Sequence, residues 1–217
     1  MTRAITIAIF TRAPVPGAAK TRLIPALGAQ GAAHFHSVLT RHAVAQALAS
    51  NLGPVELWCA PDVAHPFFAA CAREFGVALR AQPQGDLGVK MLGAFEAAPG
   101  PLLLMGSDCP AITPADLTAC AHVLENGANV VFLPAEDGGY GLVGAARPIP
   151  PIFKGVDWGG PAVMSQTRDK LTALGLTWRE PRVVWDVDHP EDYERVMREG
   201  LLHEPARERL PNSGAPD

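Results

Sequence analysis

From Ala4 to Asn126 the chain alternates short β-branched apolar runs with longer segments rich in Ala and Leu. This alternation constrains the fold more than any other feature. Strand–helix repeats of this length build crossover units, and crossover units give a mostly parallel sheet covered by helices on both faces. Strands are expected over 4–10, 55–60, 77–80, 101–105, 129–133 and 182–185, with a further short one at 141–144. The run at 101–105 is the most apolar and is expected at the centre of the sheet. Helices are expected over 29–52, 63–75, 87–98 and 161–174. Two more have clear starts. Thr113-Pro114-Ala115-Asp116 sets a cap, a first-turn proline and a first-turn carboxylate before a helix to about residue 126. His189-Pro190-Glu191-Asp192 repeats that logic for a last helix.

Hydrophobic residues make up 48% of the 217, enough for a core and too many for a disordered chain. We expect one domain over 1–203, followed by a disordered tail over 204–217 that holds little apolar material. Lys and Arg number 18 against 22 Asp and Glu, a formal charge of −4, so the broad basic footprint of a nucleic-acid binder is absent. A local phosphate site needs only a few cations and stays open. No apolar stretch reaches the roughly 18 residues of a membrane span. The N-terminus lacks a secretory pattern, and a soluble, cytoplasmic protein is expected. Cys59, Cys71, Cys109 and Cys120 show no CxxC spacing and read as reduced core residues.

Ligands of open α/β sheets sit outside the carboxyl ends of the strands, so the loops that follow strands are the informative ones. The first holds Arg12, Lys20 and Arg22 around Pro14, Pro16 and Gly17. Its amides and cations suit a phosphate, though a solvated basic turn would look the same. It is neither a Walker loop nor the dinucleotide fingerprint. The second, Gly106-Ser107-Asp108-Cys109-Pro110, places a carboxylate where a divalent cation would bridge to a phosphate; Asp108 could instead close the turn. The third, Glu136-Asp137-Gly138-Gly139-Tyr140, offers two carboxylates, close backbone approach and a ring, or simply a hairpin turn. Asp137 is a candidate catalytic carboxylate beside Asp108. The fourth carries Asp186 and Asp188 on an extended segment, where their side chains are expected to point to opposite faces. Only one of them readily joins Asp108 on a metal, and Asp188 could alternatively cap the last helix. Gln84-Gly85-Asp86-Leu87-Gly88-Val89-Lys90 could meet a nucleotide or sugar through its amides. The histidines, among them His34, His36, His42, His65, His122 and His203, are scattered and expected mostly on surfaces or helix faces. No Gly-x-Ser-x-Gly elbow is present.

Taken in order, five segments resemble one family. They are 10–17 with Lys20-Thr21-Arg22-Leu23, Gln84-Gly85-Asp86-Leu87-Gly88, Gly106-Ser107-Asp108-Cys109-Pro110, Glu136-Asp137-Gly138-Gly139-Tyr140, and Asp186-Val187-Asp188-His189-Pro190-Glu191-Asp192. The family is that of bacterial glycosyltransferase-A-like proteins described as nucleotide-diphospho-sugar transferases, of the selenodomain-associated transferase 1 type. Phospholactate guanylyltransferases are more distant relatives. The resemblance spans about residues 3–200. It implies a Rossmann-like nucleotide-diphospho-sugar transferase fold. It also implies phosphate binding by Arg12, Gly17, Lys20 and Arg22, with nucleotide contacts at Gly85 and Asp86. Mg²⁺ or Mn²⁺ is implied on Asp108 and Asp188, with Asp186 as the substitute second ligand. Sugar or acceptor contacts are implied at Glu136, Gly138, Gly139, Tyr140 and Trp158.

Three departures stand out. The Asp-x-Asp of glycosyltransferases is reduced to Ser107-Asp108. A second tyrosine after the paired glycines is replaced by Gly141. The family's Trp-Ser-Thr is Trp158-Gly159-Gly160 here. The expected activity is metal-dependent glycosyl transfer from a nucleotide diphosphosugar to a small-molecule acceptor. Nucleotidyl transfer with release of pyrophosphate is the alternative, and a non-catalytic nucleotide-binding module is a third.

Overall fold

The computed structural model describes residues 4–202. The tail expected over 204–217, and His203, lie outside the described residues. Seven strands form one mixed sheet: β1 (Thr6–Arg12), β2 (Val55–Ala60), β3 (Ala78–Ala81), β4 (Leu102–Gly106), β5 (Val130–Pro134), β6 (Tyr140–Ala145) and β7 (Trp178–Arg179), in the spatial order β3-β2-β1-β4-β6-β5-β7. β4 is the fourth of seven, the central place that its apolar run implied. β1, β2, β3 and β4 run parallel, while β6 is antiparallel to both β4 and β5. The chain steps outward from β1 through β2 to β3 and then returns to the other side of β1 as β4. The order therefore reverses between β1 and β4, and a crevice opens there above the carboxyl ends of the strands.

The helices are α1 (Ile24–Ala49), α2 (Pro66–Phe75), α3 (Leu87–Ala97), α4 (Pro114–Glu125), α5 (Val163–Ala173) and α6 (Pro190–Glu199). Gly28 sits inside α1 at φ 70°, a non-helical conformation, so the unbroken helix begins at Ala29 as expected and one turn precedes the break. α4 carries the full capping box: the Thr113 hydroxyl accepts from the Asp116 amide, and the Asp116 carboxylate accepts from the Thr113 amide at 2.8 Å.

Alternate residues of the strands feed two cores. Ile7, Ile9, Leu57, Leu103 and Met105 pack on one face of the sheet, together with residues of α1, α2 and α4. Ala8, Phe10, Trp58, Leu104 and Phe132 pack on the other, with residues of α3 and α5. A third cluster joins Phe35 and Leu39 of α1 to Trp185, Val187 and Val196. All four cysteines are free and buried. Among the described residues, no helix is long and apolar enough to cross a membrane.

One expected element is different. Residues 182–185 form no strand; only Val184 makes a bridge, to Ala135. The short strand beside β5 is β7, and it ends before Pro181, which has no N–H for a ladder. The chain then runs on extended, held by the Val184 amide on the Pro134 carbonyl at 2.8 Å and the Glu136 amide on the Val184 carbonyl at 3.0 Å.

The middle of the sheet leaves no spare volume at β6. A methyl group at Gly144 would overlap Leu103 Cδ2 and lie 2.8 Å from Val131 Cγ1. Gly144→Ala is expected to cost about 1–3 kcal/mol, the usual range for overpacking a filled core. Urea unfolding should show a lower midpoint at unchanged slope; a wild-type midpoint would mean that these layers have slack.

Candidate functional site

Two neighbouring hollows open at the β1/β4 reversal. The larger, of about 480 Å³, runs from Arg12 and Asp108 past Asp137 and Asp186 to Tyr140 and Trp158. The smaller, of about 370 Å³, is lined by Arg12, Lys20, Arg22, His36, Asp108 and Asp188. Arg12, His36 and Asp108 belong to both.

The smaller hollow centres on Lys20. The loop before it folds back on itself through the Ala18 and Ala19 amides on the Val15 carbonyl, both at 3.0 Å, with Gly17 at φ 81°. Lys20 itself holds φ 47°, a left-handed conformation that a non-glycine residue adopts at a cost of order 1–2 kcal/mol. Its side chain returns that cost. Nζ donates to the Val187 carbonyl, lies 2.8 Å from Asp108 Oδ2 and 3.3 Å from Asp188 Oδ1, and Arg22 holds the other Asp188 oxygen at 2.8 Å. The Lys20 side chain is 5% exposed, whereas Asp108 and Asp188 keep 38% and 41%. The ammonium is covered while both carboxylates stay open to a ligand.

Burial alone would lower the Lys20 pKa, but Asp108 and Asp188 raise it above its ordinary value. Burial likewise pushes Asp108 up; the Lys20 charge outweighs it and holds this carboxyl well below the usual range. At Asp186, burial, then the charges of Asp137 and Asp188, outweigh the charge of Lys20 and push the carboxyl up to about 6.

His36 was expected among surface or helix-face histidines and is instead 2% exposed. Its Nε2 donates to the Arg12 carbonyl at 3.0 Å. A carbonyl only accepts, so this bond places a proton on Nε2. Nδ1 faces Asp108 Oδ1 at 3.5 Å, too long for a well-formed hydrogen bond, and has no hydrogen-bond partner. Thr11 and Thr40, joined at 2.9 Å, pack beside the ring. A signal was present in the sequence: His36 and Thr40 are an i, i+4 polar pair inside the apolar stripe of Ala32, Phe35, Leu39 and Ala43. Gln82 was also missed. Its amide donates to the carbonyls of Thr11 (3.0 Å) and Trp58 (2.9 Å), fixing the floor of the larger hollow.

Residues 135–139 form the β5–β6 hairpin turn, with Asp137 Oδ1 accepting from the Gly139 amide at 2.9 Å, and Asp137, Gly139 and the adjoining Tyr140 line the larger hollow. Tyr140 is walled by Phe132 and Trp158 in edge-on contacts at 5.1 and 6.4 Å. A side chain at Gly141 would fall 2.7 Å from Cys109 Sγ and 2.9 Å from Val184 Cγ2, so a second tyrosine has no room here.

Five expected site residues line neither hollow. Glu136 is drawn outward by Arg195 at 3.0 Å, whose guanidinium stacks 4.1 Å over Trp185. Asp86 caps α3, accepting from the Val89 amide at 2.8 Å, and Gly85 shapes the turn before it at φ 130°. Gly138, at φ 91°, lets the hairpin lie against the Pro161 backbone. Gly17 shapes the first loop, while Ala18 reaches the wall. Lys90 of α3, quoted only as part of its loop, does line the larger hollow. Asp188 is not the cap of α6. The N-cap residue is His189, and the Asp192 carboxylate in the first turn accepts from the Asp188 and His189 amides at 3.0 and 2.7 Å.

Solved structures of similar fold include nucleotide-using enzymes. The chain shares 26% identity with a protein from Desulfovibrio desulfuricans G20 whose assignment as a nucleotide-diphospho-sugar transferase is provisional; the match covers 96% of this chain and 91% of that one, with a TM-score of 0.77. An inositol-1-phosphate CTP transferase from T. maritima matches at 11% identity, over 93% of this chain and 96% of that one, with a TM-score of 0.61. A glucosyl-3-phosphoglycerate synthase from Mycobacterium tuberculosis, solved with Mn²⁺, uridine diphosphate and glucosyl-3-phosphoglycerate, matches at 11%, over 92% and 77%, with a TM-score of 0.56. Below 25% identity such matches speak for the fold alone. No curated protein matches the sequence. A family model described as an uncharacterised protein conserved in bacteria, DUF2064, matches residues 43–160, and the chain belongs to that family.

Proposed function

We propose that this chain is a metal-dependent transferase that uses a nucleotide-activated donor, and that its reaction is glycosyl transfer from a nucleotide diphosphosugar to a small-molecule acceptor. One observation carries the reading. Two open carboxylates and three cations meet at the β1/β4 reversal, next to a hollow walled by Tyr140 and Trp158. The charged hollow suits a diphosphate, with Arg12, Lys20 and Arg22 as its donors. The aromatic hollow suits the flat faces of a base or sugar. Residues 1–203 are read as one such unit.

The donor set also fits a divalent cation. Oxygens of Asp108, Asp188 and the Val187 carbonyl converge on a position that the Lys20 ammonium fills as a stand-in cation. These are hard ligands, and Mg²⁺ commonly takes one or two carboxylates and completes its shell with substrate phosphates and water. Among the described residues no group of three or more His, Cys, Asp or Glu side chains is arranged for an ion by itself. Bound there, Mg²⁺ or Mn²⁺ would neutralise the departing diphosphate. Asp137, on the wall of the larger hollow, is the candidate to take the proton of the attacking acceptor hydroxyl.

The CTP-using structural relatives favour nucleotidyl transfer as the second reading. The products separate the two: a nucleoside diphosphate for glycosyl transfer, pyrophosphate for nucleotidyl transfer.

Binding supplies the first test. A nucleoside diphosphate at about 100 times its dissociation constant should stabilise the protein by roughly 2.7 kcal/mol. The rise should require Mn²⁺ or Mg²⁺ and shrink in chelator, and Asp108→Asn should remove the metal dependence. Equal stabilisation in chelator and in Mn²⁺ would sink the metal-bridged reading and leave a nucleotide-binding module. Arg12 supplies a second test, because it borders both hollows. Arg12→Ala should weaken nucleoside diphosphate binding by about 1.5–3 kcal/mol in calorimetry, the range for hydrogen bonds to charged groups. An unchanged affinity would place the phosphates elsewhere.

A further inference from the structure

The cradle around Lys20 is complete without any added ion. Its three oxygen contacts are made, its ammonium is covered, and the charge of two carboxylates is matched by Lys20 and Arg22. A divalent ion on the same oxygens would lie against a like charge, which a shared cradle does not tolerate. The carboxylates nevertheless remain open on the side of the hollows, and the buried Nδ1 of His36 faces Asp108 without a hydrogen-bond partner. The Arg12 carbonyl holds the proton of that ring on Nε2. This is the arrangement that leaves the other nitrogen free to meet a cation. The cradle is therefore both filled and addressed by an unused donor.

We propose that Lys20 is the resident counter-ion of this cradle, that a divalent cation enters only by displacing it, and that the released ammonium turns to the donor's phosphates. The inference rests on the metal-dependent reading above. Its four-carbon stem lets the ammonium swing within the smaller hollow, toward Arg12, while the backbone stays in place. Without a donor the site is self-neutralised and holds metal poorly. With a donor, the phosphates receive the ammonium and the cradle receives the metal, so each ligand favours the other.

The test is Mn²⁺ binding without nucleotide, read from the loss of the free-ion electron paramagnetic resonance signal. Lys20→Met should bind Mn²⁺ about tenfold or more tighter than wild type, since its competitor is gone. Lys154→Met, on an exposed residue away from both hollows, should bind as wild type does. A second measurement needs no variant. In reductive methylation of the wild type, read by peptide mass spectrometry, Lys20 should be protected in chelator and become reactive in saturating Mn²⁺. If Lys20→Met binds Mn²⁺ no tighter, or Lys20 stays protected when Mn²⁺ is bound, displacement is wrong, and the metal–nucleotide coupling of the wild type shows whether the metal-dependent reading survives. If no variant binds Mn²⁺ with or without a nucleoside diphosphate, that reading fails and this inference with it.

Discussion

A single ammonium ties together segments that are far apart in the chain. Lys20 follows the first strand, Asp108 follows the central strand, and Val187 and Asp188 come just before the last helix. The Asp108 carbonyl accepts from the Val187 amide at 2.9 Å and draws the last two of these together in a second way. Losing a partner from a fully buried ion pair costs roughly 3–5 kcal/mol. The cost here is smaller, because both carboxylates remain open to solvent. The cluster is thus firm enough to define the crevice and exposed enough to be rearranged by a ligand, which is the combination a binding site needs.

The sheet order explains why the cluster forms where it does. Pairing of Phe10 with Gly106 sets the ends of β1 and β4 side by side, and the Ser107 amide continues the contact onto the Phe10 carbonyl at 3.0 Å. Chain reversal at that pair leaves the space above it uncovered. Because β6 returns antiparallel from the β5 hairpin, Asp137, Gly139 and Tyr140 arrive at the same edge as the carboxyl ends of the parallel strands. One edge of the sheet therefore collects the charged loop, the single carboxylate after β4 and the aromatic wall.

Much of this was legible in the sequence because it is encoded locally. The caps of α4, the apolar run of β4 and the cluster of Arg12, Lys20 and Arg22 declare themselves within a few residues. Glu136 and Asp86 looked the same in sequence as Asp108 and Asp137. What separates them is a partner elsewhere: Arg195 takes Glu136 from the site, and the first turn of α3 takes Asp86. His36 was half legible: its place in the apolar stripe of α1 signals burial, but nothing near it in the chain signals its partner, the Arg12 carbonyl of another element. The extended 182–185 run had strand composition, but Pro181, with no N–H for a ladder, separates it from β7.

That failed strand shapes both hollows. Residues 184–188 run extended beside the end of β5, held by a few backbone bonds. Extended chain sends alternate side chains to opposite sides. Asp186 and Asp188, two residues apart, therefore share the side that faces the two adjoining hollows instead of the opposite faces expected, Asp186 lining the aromatic hollow with Asp137 and Asp188 the charged hollow beside Lys20 and Arg22. Trp185 and Val187, which alternate with them, are buried in the third core cluster and lock the alternation in place. A one-residue slip would exchange the two sets, placing carboxylates in the core and apolar groups in both hollows. The packing of Trp185 and Val187 thus turns both carboxylates out of the core and toward the hollows.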